Sequence, residues 1–341
     1  MTARLITFAA NQGDIGGGEV MLLNLAVAAQ ALGLDVDVVG PGSSGVLEAA
    51  EEAGLVVRGL GASRRDYLLS LRGWQGRGKL LWANGLAPAF ATSGQGGRVV
   101  HLHQQPRGTQ AVAARAARLG AHVTLVPSQA MAHDVGRARV LENWTAEVTP
   151  SATRPAAAPP VVGFLGRPSV GKGVVVLADA LHLLSQRQTA PPRLLLAGEP
   201  RFVAAPERRR VDAALGRVEH LVDRRGWTRP ADFFEQVDVA VFPSIAPESF
   251  GLVAAEAMSA RVPFIISDAG ALPEVAGSAH PWVSPRGDAA ALADTIEAVL
   301  ASTAGEIERV VTSARQRWET RFSPAAGRAR LAVLLRDLDL T

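Results

Sequence analysis

The sequence has no cysteine, which excludes disulfides, thiolate-ligated zinc and thiol nucleophiles. It has a single tyrosine, and aromatic residues make up only 5% of it. Basic residues interleaved with aromatics, the pattern that grips nucleic acid, are missing, so no nucleic-acid partner is expected. No apolar run approaches the roughly 20 residues that span a bilayer. The opening stretch has one arginine and a short apolar run ending in polar residues; it reads as a first strand, since a secretory leader has a longer apolar region. A cytoplasmic location is the expectation. Lysine is nearly missing as well: Lys79 and Lys172 are the only two, and arginine carries the rest of the positive charge. Acidic residues offset most of it, leaving a formal net charge of +3, so the arginine content points to genome composition rather than to a polyanion-binding surface.

What the chain does have is alternation. Its 341 residues exceed one typical core and suit two domains. Short Val- and Leu-rich runs alternate with longer helical patterns, as in parallel sheets covered by helices. Strands are expected at RLITFAA, DVDVVG, GLVVRGL, KLLWANG, RVVHLHQ, HVTLVPS and RVLENW, then at VVGFLGR, RLLLAG, VDVAVFPS and VPFIIS. Helices are expected near 19–32, with Val20, Leu23, Leu25 and Val27 as the apolar face, near 174–187 and near 324–338. Residues 149–160, rich in proline and small side chains, can continue neither a helix nor a central strand and read as a linker. The expected architecture is therefore α/β: two doubly wound domains, 1–150 and 161–318, followed by a last helix in 319–341.

Three motifs carry chemistry. GDIGGGE, residues 13–19, follows the first strand; its glycines would allow positive φ and close backbone approach, ahead of a helix whose free N–H groups face an anion. A dinucleotide site would also need an acid ending the second strand, and DVVGPG has none there. GRPSVGKG, residues 166–173, imitates a Walker loop but has Gly173 where a hydroxyl would hold Mg²⁺. What remains is Arg167 and Lys172 at a strand's carboxyl end, two cations that can neutralise a diphosphate. In PSIAPESFGLVAAEAMSARVP, seven residues separate Glu248 from Glu256. The helix is expected to begin near Ser249 or Phe250, with Glu256 inside it. A carboxylate on such a helix needs hydroxyl or amide partners, which sugar and ribose hydroxyls would supply.

Together these residues resemble the family-4 retaining glycosyltransferases of the GT-B fold, over nearly the whole chain. GRPSVGKG looks like that family's basic pair and the Glu248/Glu256 segment like its E-x7-E signature. GALPEVAG is similar to its Gly-plus-Glu element, giving Glu274; GGGE to its glycine loop; VVHLHQ to the strand end with an active-site histidine, giving His103; and LENW to the exit of its first domain. The sequence departs from the family in lacking the usual glycine in LENW and in having Arg261 where a glycine is usual. The resemblance implies two facing Rossmann-like domains with the site in the cleft between them, and a last helix crossing back to the first domain. It implies that Arg167 and Lys172 stabilise a leaving diphosphate, that Glu256 binds ribose hydroxyls and that Glu248 binds the donor sugar. The backbone at Gly16, Gly17, Gly18, Phe250, Gly251 and Leu252 would complete the anion site, with His103 near the reacting centre in a positioning or charge-stabilising role. No cofactor and no metal are implied; the partners are a nucleoside-diphosphate sugar, UDP ahead of GDP, and an unidentified acceptor.

Residues 63–79 combine Arg64, Arg65, Arg72, Arg77 and Lys79 with Tyr67, Leu68, Leu69, Leu71 and Trp74. Two readings stand: an amphipathic helix covering the sheet with a solvated basic end, or a surface that meets an anionic acceptor or the inner face of a membrane. For the whole chain the alternatives are a P-loop-like NTPase and a GT-B module that binds nucleotide or glycan without turnover. The composition suits a GC-rich bacterial genome.

Overall fold

The structure, a computed structural model, describes residues 5–73, 80–150 and 159–339. Most of the expected linker lies outside the described residues, as do Trp74, Arg77 and Lys79 of the basic segment. The chain divides into two compact units, Met1–Trp144 with Pro324–Thr341, and Thr145–Ser323.

The first unit is built on strands β1 (Leu5–Ala9), β2 (Asp35–Pro41), β3 (Val56–Leu60), β4 (Leu80–Asn84), β5 (Arg98–His101), β6 (Val123–Val126) and β7 (Arg139–Val140). They form one parallel sheet in the order β3-β2-β1-β4-β5-β6-β7. Its helices are α1 (Gly17–Ala31), α2 (Gly45–Glu52), α3 (Arg64–Arg72), α4 (Leu86–Ala91), α5 (Thr109–Ala117) and α6 (Gln129–Val135). The inner strands carry apolar side chains on both faces because helices cover both. Helix α1 buries Met21, Leu22, Leu25, Ala26, Ala28 and Ala29, while Val20 is 37% and Val27 41% exposed. The expected apolar face of α1 was thus rotated: the helix is apolar nearly all round, so its periodicity carries little directional information.

The second unit is built on β8 (Val161–Leu165), β9 (Arg193–Ala197), β10 (Val222–Gly226), β11 (Val239–Phe242), β12 (Phe264–Ser267) and β13 (Val283–Ser284). Its parallel sheet has the order β10-β9-β8-β11-β12-β13. Helices α7 (Val174–Arg187), α8 (Ala205–Gly216), α9 (Pro230–Phe234), α10 (Leu252–Ala260), α11 (Leu272–Ala276), α12 (Ala289–Leu300) and α13 (Ala304–Arg317) cover it, and α13 runs into a π-helical turn, Trp318–Phe322. The two ends of this unit are tied together where Thr145 N donates to Phe322 O (3.0 Å) and Trp318 Nε1 to Thr145 Oγ1 (2.9 Å). Helix α14 (Pro324–Asp337) belongs to the first unit: Leu331, Leu334 and Leu335 are buried in one cluster with residues of α1 and with Trp144.

Both sheets share one winding. Strand order reverses between β1 and β4 in the first and between β8 and β11 in the second, so a crevice opens at the carboxyl ends of those strands. The loops after β1, β4, β8 and β11 therefore hold the positions where such sheets bind ligands.

Candidate functional site

In the second unit, the loop after β8 is shaped by hydrogen bonds to its own backbone. Glu207 Oε1 accepts from Val170 N (2.8 Å), and Ser169 Oγ accepts from Lys172 N (3.1 Å). Gly171 O accepts from Ile245 N (2.9 Å) and Ala246 N (3.0 Å), which joins this loop to the one after β11. Gly173 closes it at φ +77°, where a Cβ would fall 1.8 Å from Pro243 O. Glycine is therefore demanded by contact with the neighbouring backbone, and the same contact excludes the hydroxyl of a Walker loop.

That junction brings Lys172 to Glu248. Lys172 Nζ donates to Glu248 Oε1 (2.7 Å) and Oε2 (3.0 Å), and Ser244 Oγ donates to Oε1 as well. The lysine side chain is 34% exposed and the glutamate 15%, so the pair lies at the edge of solvent. Glu248 is fixed through its backbone too: it bridges to Gly270, with Ala271 N donating to Glu248 O (2.9 Å). Gly270 takes φ +62°, and a Cβ there would sit 2.4 Å from Glu248 O. The Gly-plus-Glu element thus lies alongside Glu248, with Glu274 in the first turn of α11 and its carbonyl held by Arg317 Nη2 (2.8 Å). Arg167 is exposed, and no hydrogen bond or ion pair holds it among the described residues.

Helix α10 begins at Leu252, later than expected, with Gly251 as its left-handed N-cap at φ +102°. A Cβ on Gly251 would meet Leu272 Cδ2 at 2.6 Å. Ala254 N already donates to Gly251 O (3.0 Å), so the first-turn amides of the helix left without an acceptor among the described residues are those of Leu252 and Val253. Phe250 precedes the helix, and its ring is buried edge-on to Phe322. Glu256 sits on α10 between buried alanines, with no hydrogen-bond or ion-pair partner among the described residues. Burial pushes its carboxyl up from the ordinary 4.5 to about 7. Arg261 caps the end of α10 in the left-handed conformation (φ 57°, ψ 34°), the shape glycine would give that turn, and its guanidinium pairs with Glu308.

In the first unit, Gly16 caps α1 and Gly17 and Gly18 open it, none of them at positive φ. The freedom to take positive φ is thus not used at these three glycines, which form the helix start itself. Glu19 reaches back to accept from Gly16 N at 3.2 Å, the half of a capping box that a glycine N-cap permits. Burial pushes the Glu19 carboxyl up to about 7, against the opposing pull of its backbone hydrogen bonds. Asn84, at the end of β4, links this helix start to His103: Nδ2 donates to Gly18 O (2.9 Å), and Oδ1 lies 2.7 Å from His103 Nε2. Burial pushes His103 down to about 3, so the ring is neutral. The His101 ring lies 4.0 Å away and is held neutral by burial first and by His103 second.

The motifs missed Asn84, Ser244 and Glu207. Each supports a neighbour's geometry, and a lone polar residue at a strand end or helix start reads as turn chemistry.

Residues 159–302 match the family model described as Glycosyl transferases group 1. Among curated relatives, a phosphatidyl-myo-inositol mannosyltransferase of Mycobacterium leprae is 36% identical over 144 residues, covering 40% of this chain and 36% of that protein. A glycogen synthase of Mycobacterium tuberculosis is 35% identical over 179 residues, covering 50% of this chain and 41% of its own. The chain thus spans well under half the length of these relatives. A crystal structure of Anabaena HepE in complex with UDP and glucose superposes with a TM-score of 0.84 at 20% identity, covering 97% of this chain and 99% of that one. The sucrose-phosphate synthase of Thermosynechococcus elongatus superposes at 0.81 with 20% identity, covering 98% and 99%. The second unit therefore matches the group 1 glycosyl transferase model over residues 159–302, in a chain of the two-unit, Rossmann-like GT-B fold.

Proposed function

We propose that this chain is a family-4 glycosyltransferase that moves a sugar from a nucleoside-diphosphate sugar to an acceptor with retention of configuration. The observation that carries the reading is the Lys172–Glu248 pair, held by two strand-end loops at the reversal point of a sheet whose family model is that of glycosyl transferases. Arg167 and Lys172 take the diphosphate oxygens, and the first-turn amides of α10 add a preorganised positive end. With these cations in place, no metal is needed to neutralise the leaving group. Glu256, half-buried and without a partner among the described residues, accepts the ribose hydroxyls. Glu248 accepts from the donor sugar once Lys172 turns to phosphate. In a front-face displacement the bond from the anomeric carbon to the phosphate oxygen breaks, the acceptor oxygen bonds to the same face, and the acceptor proton passes to the leaving phosphate. UDP is favoured over GDP because Anabaena HepE, of the same fold, was crystallised with UDP and with UDP-glucose.

The acceptor side is open. Helix α3 buries Tyr67 and Leu71, with Tyr67 Oη donating to Ala10 O (2.7 Å), and exposes Arg64, Arg65, Leu69 and Arg72. That suits a sheet-covering helix with a basic outer face, and contact with an anionic acceptor or membrane is the second use we propose for it. No helix among the described residues is long and apolar enough to cross a membrane. Flotation with anionic liposomes tests the contact, and absence of binding removes it.

Calorimetric titration with UDP, GDP, ADP and TDP in EDTA tests the main reading. Micromolar binding of UDP without metal is expected. Binding of ADP only after Mg²⁺ is restored would favour an NTPase, and binding of no nucleotide would leave a module without turnover.

A further inference from the structure

Asn84 closes β4 at the reversal point of the first sheet and is fully buried. Its two hydrogen bonds determine each other. A main-chain carbonyl can only accept, so the amide nitrogen must face Gly18 O. The amide oxygen therefore faces His103 Nε2, and because that oxygen also only accepts, Nε2 must carry the proton. We propose that Asn84 is a positioning residue that holds His103 in the Nε2–H tautomer and locks its ring against the first turn of α1.

The surroundings fit this role. Groups that face the ring include Asn84 from β4, His101 from β5 and Gly18 from α1, where an added Cβ would lie 3.5 Å from the ring carbons. The charged group of the same helix start, Glu19, directs its carboxyl to Gly16 N. His101 has a tautomer set in the same way, since Trp82 Nε1 donates to its Nδ1 at 3.4 Å. With His103 neutral throughout the ordinary pH range, the quantity left for Asn84 to control is the position of one proton and the ring's orientation. The inference rests on the glycosyl-transfer reading only for what that orientation serves.

Two measurements separate the inference from that reading. Protein carrying ¹⁵N in its histidine rings, with His103 assigned by a His103→Gln variant, is expected to show a proton on Nε2 and none on Nδ1 from about pH 5 to pH 9. A proton on Nδ1, or titration near the ordinary histidine range, overturns the assignment. Asn84→Ala is expected to release the ring into both tautomers and to lower kcat about 10-fold while donor KM stays within about 3-fold. Asn84→Asp puts a carboxylate beside Nε2 and removes the donor to Gly18; it is expected to raise the His103 titration and add a limb to the pH–rate profile. If both variants keep wild-type kcat and pH profile, the positioning role is wrong even in an active glycosyltransferase. If the chain moves no sugar but the ring signals behave as described, the tautomer assignment stands and the glycosyl-transfer reading falls.

Discussion

Lys172 is bound to Glu248 before any ligand arrives, so its removal acts on two things at once. Lys172→Ala takes away a charge-assisted phosphate contact, and nucleoside-diphosphate affinity is expected to fall by about 2–3 kcal/mol, roughly 30- to 150-fold. It also leaves Glu248 with only the Ser244 hydroxyl, which should lower stability by about 1 kcal/mol. A second change, Glu248→Gln, is expected to restore the melting temperature of the Lys172→Ala protein but not its affinity. Calorimetry and thermal melts read the two effects apart, and unchanged affinity would remove Lys172 from the diphosphate site. Glu256 sets a pH dependence of its own. Folding raises its carboxyl from 4.5 to about 7, so within that window the folded protein holds more protons than the unfolded chain and loses stability as pH rises. Glu256→Gln cannot ionise. Its stability should match wild type below about pH 4.5 and exceed it by about 3 kcal/mol well above pH 7. If ribose hydroxyls stabilise the ionised form, nucleotide binding near pH 7 should release about half a proton, and the glutamine variant none. Titrations in buffers of different ionisation enthalpy measure that number; proton uptake, or no exchange, would separate Glu256 from the ribose.

At the scale of loops and helices, Gly173 is where two enzyme classes diverge. Gly173→Ser supplies the hydroxyl a Walker loop would have, at a position where φ is +77° and the Cβ would meet Pro243 O. The substitution is expected to destabilise the protein by about 3 kcal/mol or more, through displacement of the loop that bears Lys172, and to gain no binding of Mg²⁺-ATP. A stable variant that hydrolyses ATP would bring the NTPase reading back. The same loop shows what a sequence can and cannot reveal. The glycine after Lys172 was visible as the lack of a hydroxyl, but the neighbouring carbonyl that imposes it comes from a strand end 70 residues on. Buried strands such as β8 and β11 were legible because both faces are apolar. Strand β10 was not, since VDRRG at a sheet edge keeps charged side chains in solvent, and β13 has only two residues. The donor-side residues Lys172, Glu248 and Glu256 could be picked out because a glycine-rich loop and a fixed glutamate spacing are local patterns. Asn84 could not, because its partners Gly18 and His103 belong to two other elements.

At the scale of the whole molecule, the chain leaves the first unit at Trp144 and returns to it at Pro324, so the last helix completes a core begun more than 300 residues earlier. Asn24 Nδ2 donates to Trp144 O (3.0 Å), and Gly327 lies so close to the Trp144 indole that a Cβ would fall 2.1 Å from Cδ2. Leu331 and Leu335 are fully buried in that cluster, whereas the second unit has separate apolar clusters of its own. Leu331→Ala with Leu335→Ala is therefore expected to cost the first unit about 4–8 kcal/mol and to leave the second unit's core intact. Scanning calorimetry of the double variant should show an early transition for the first unit and a later one that still moves upward with UDP. A single lowered transition that ignores UDP would mean that the nucleotide site cannot persist without the first unit's core. Persistence of the later transition and its UDP response would locate donor binding in Thr145–Ser323, the unit that contains Lys172, Glu248 and Glu256.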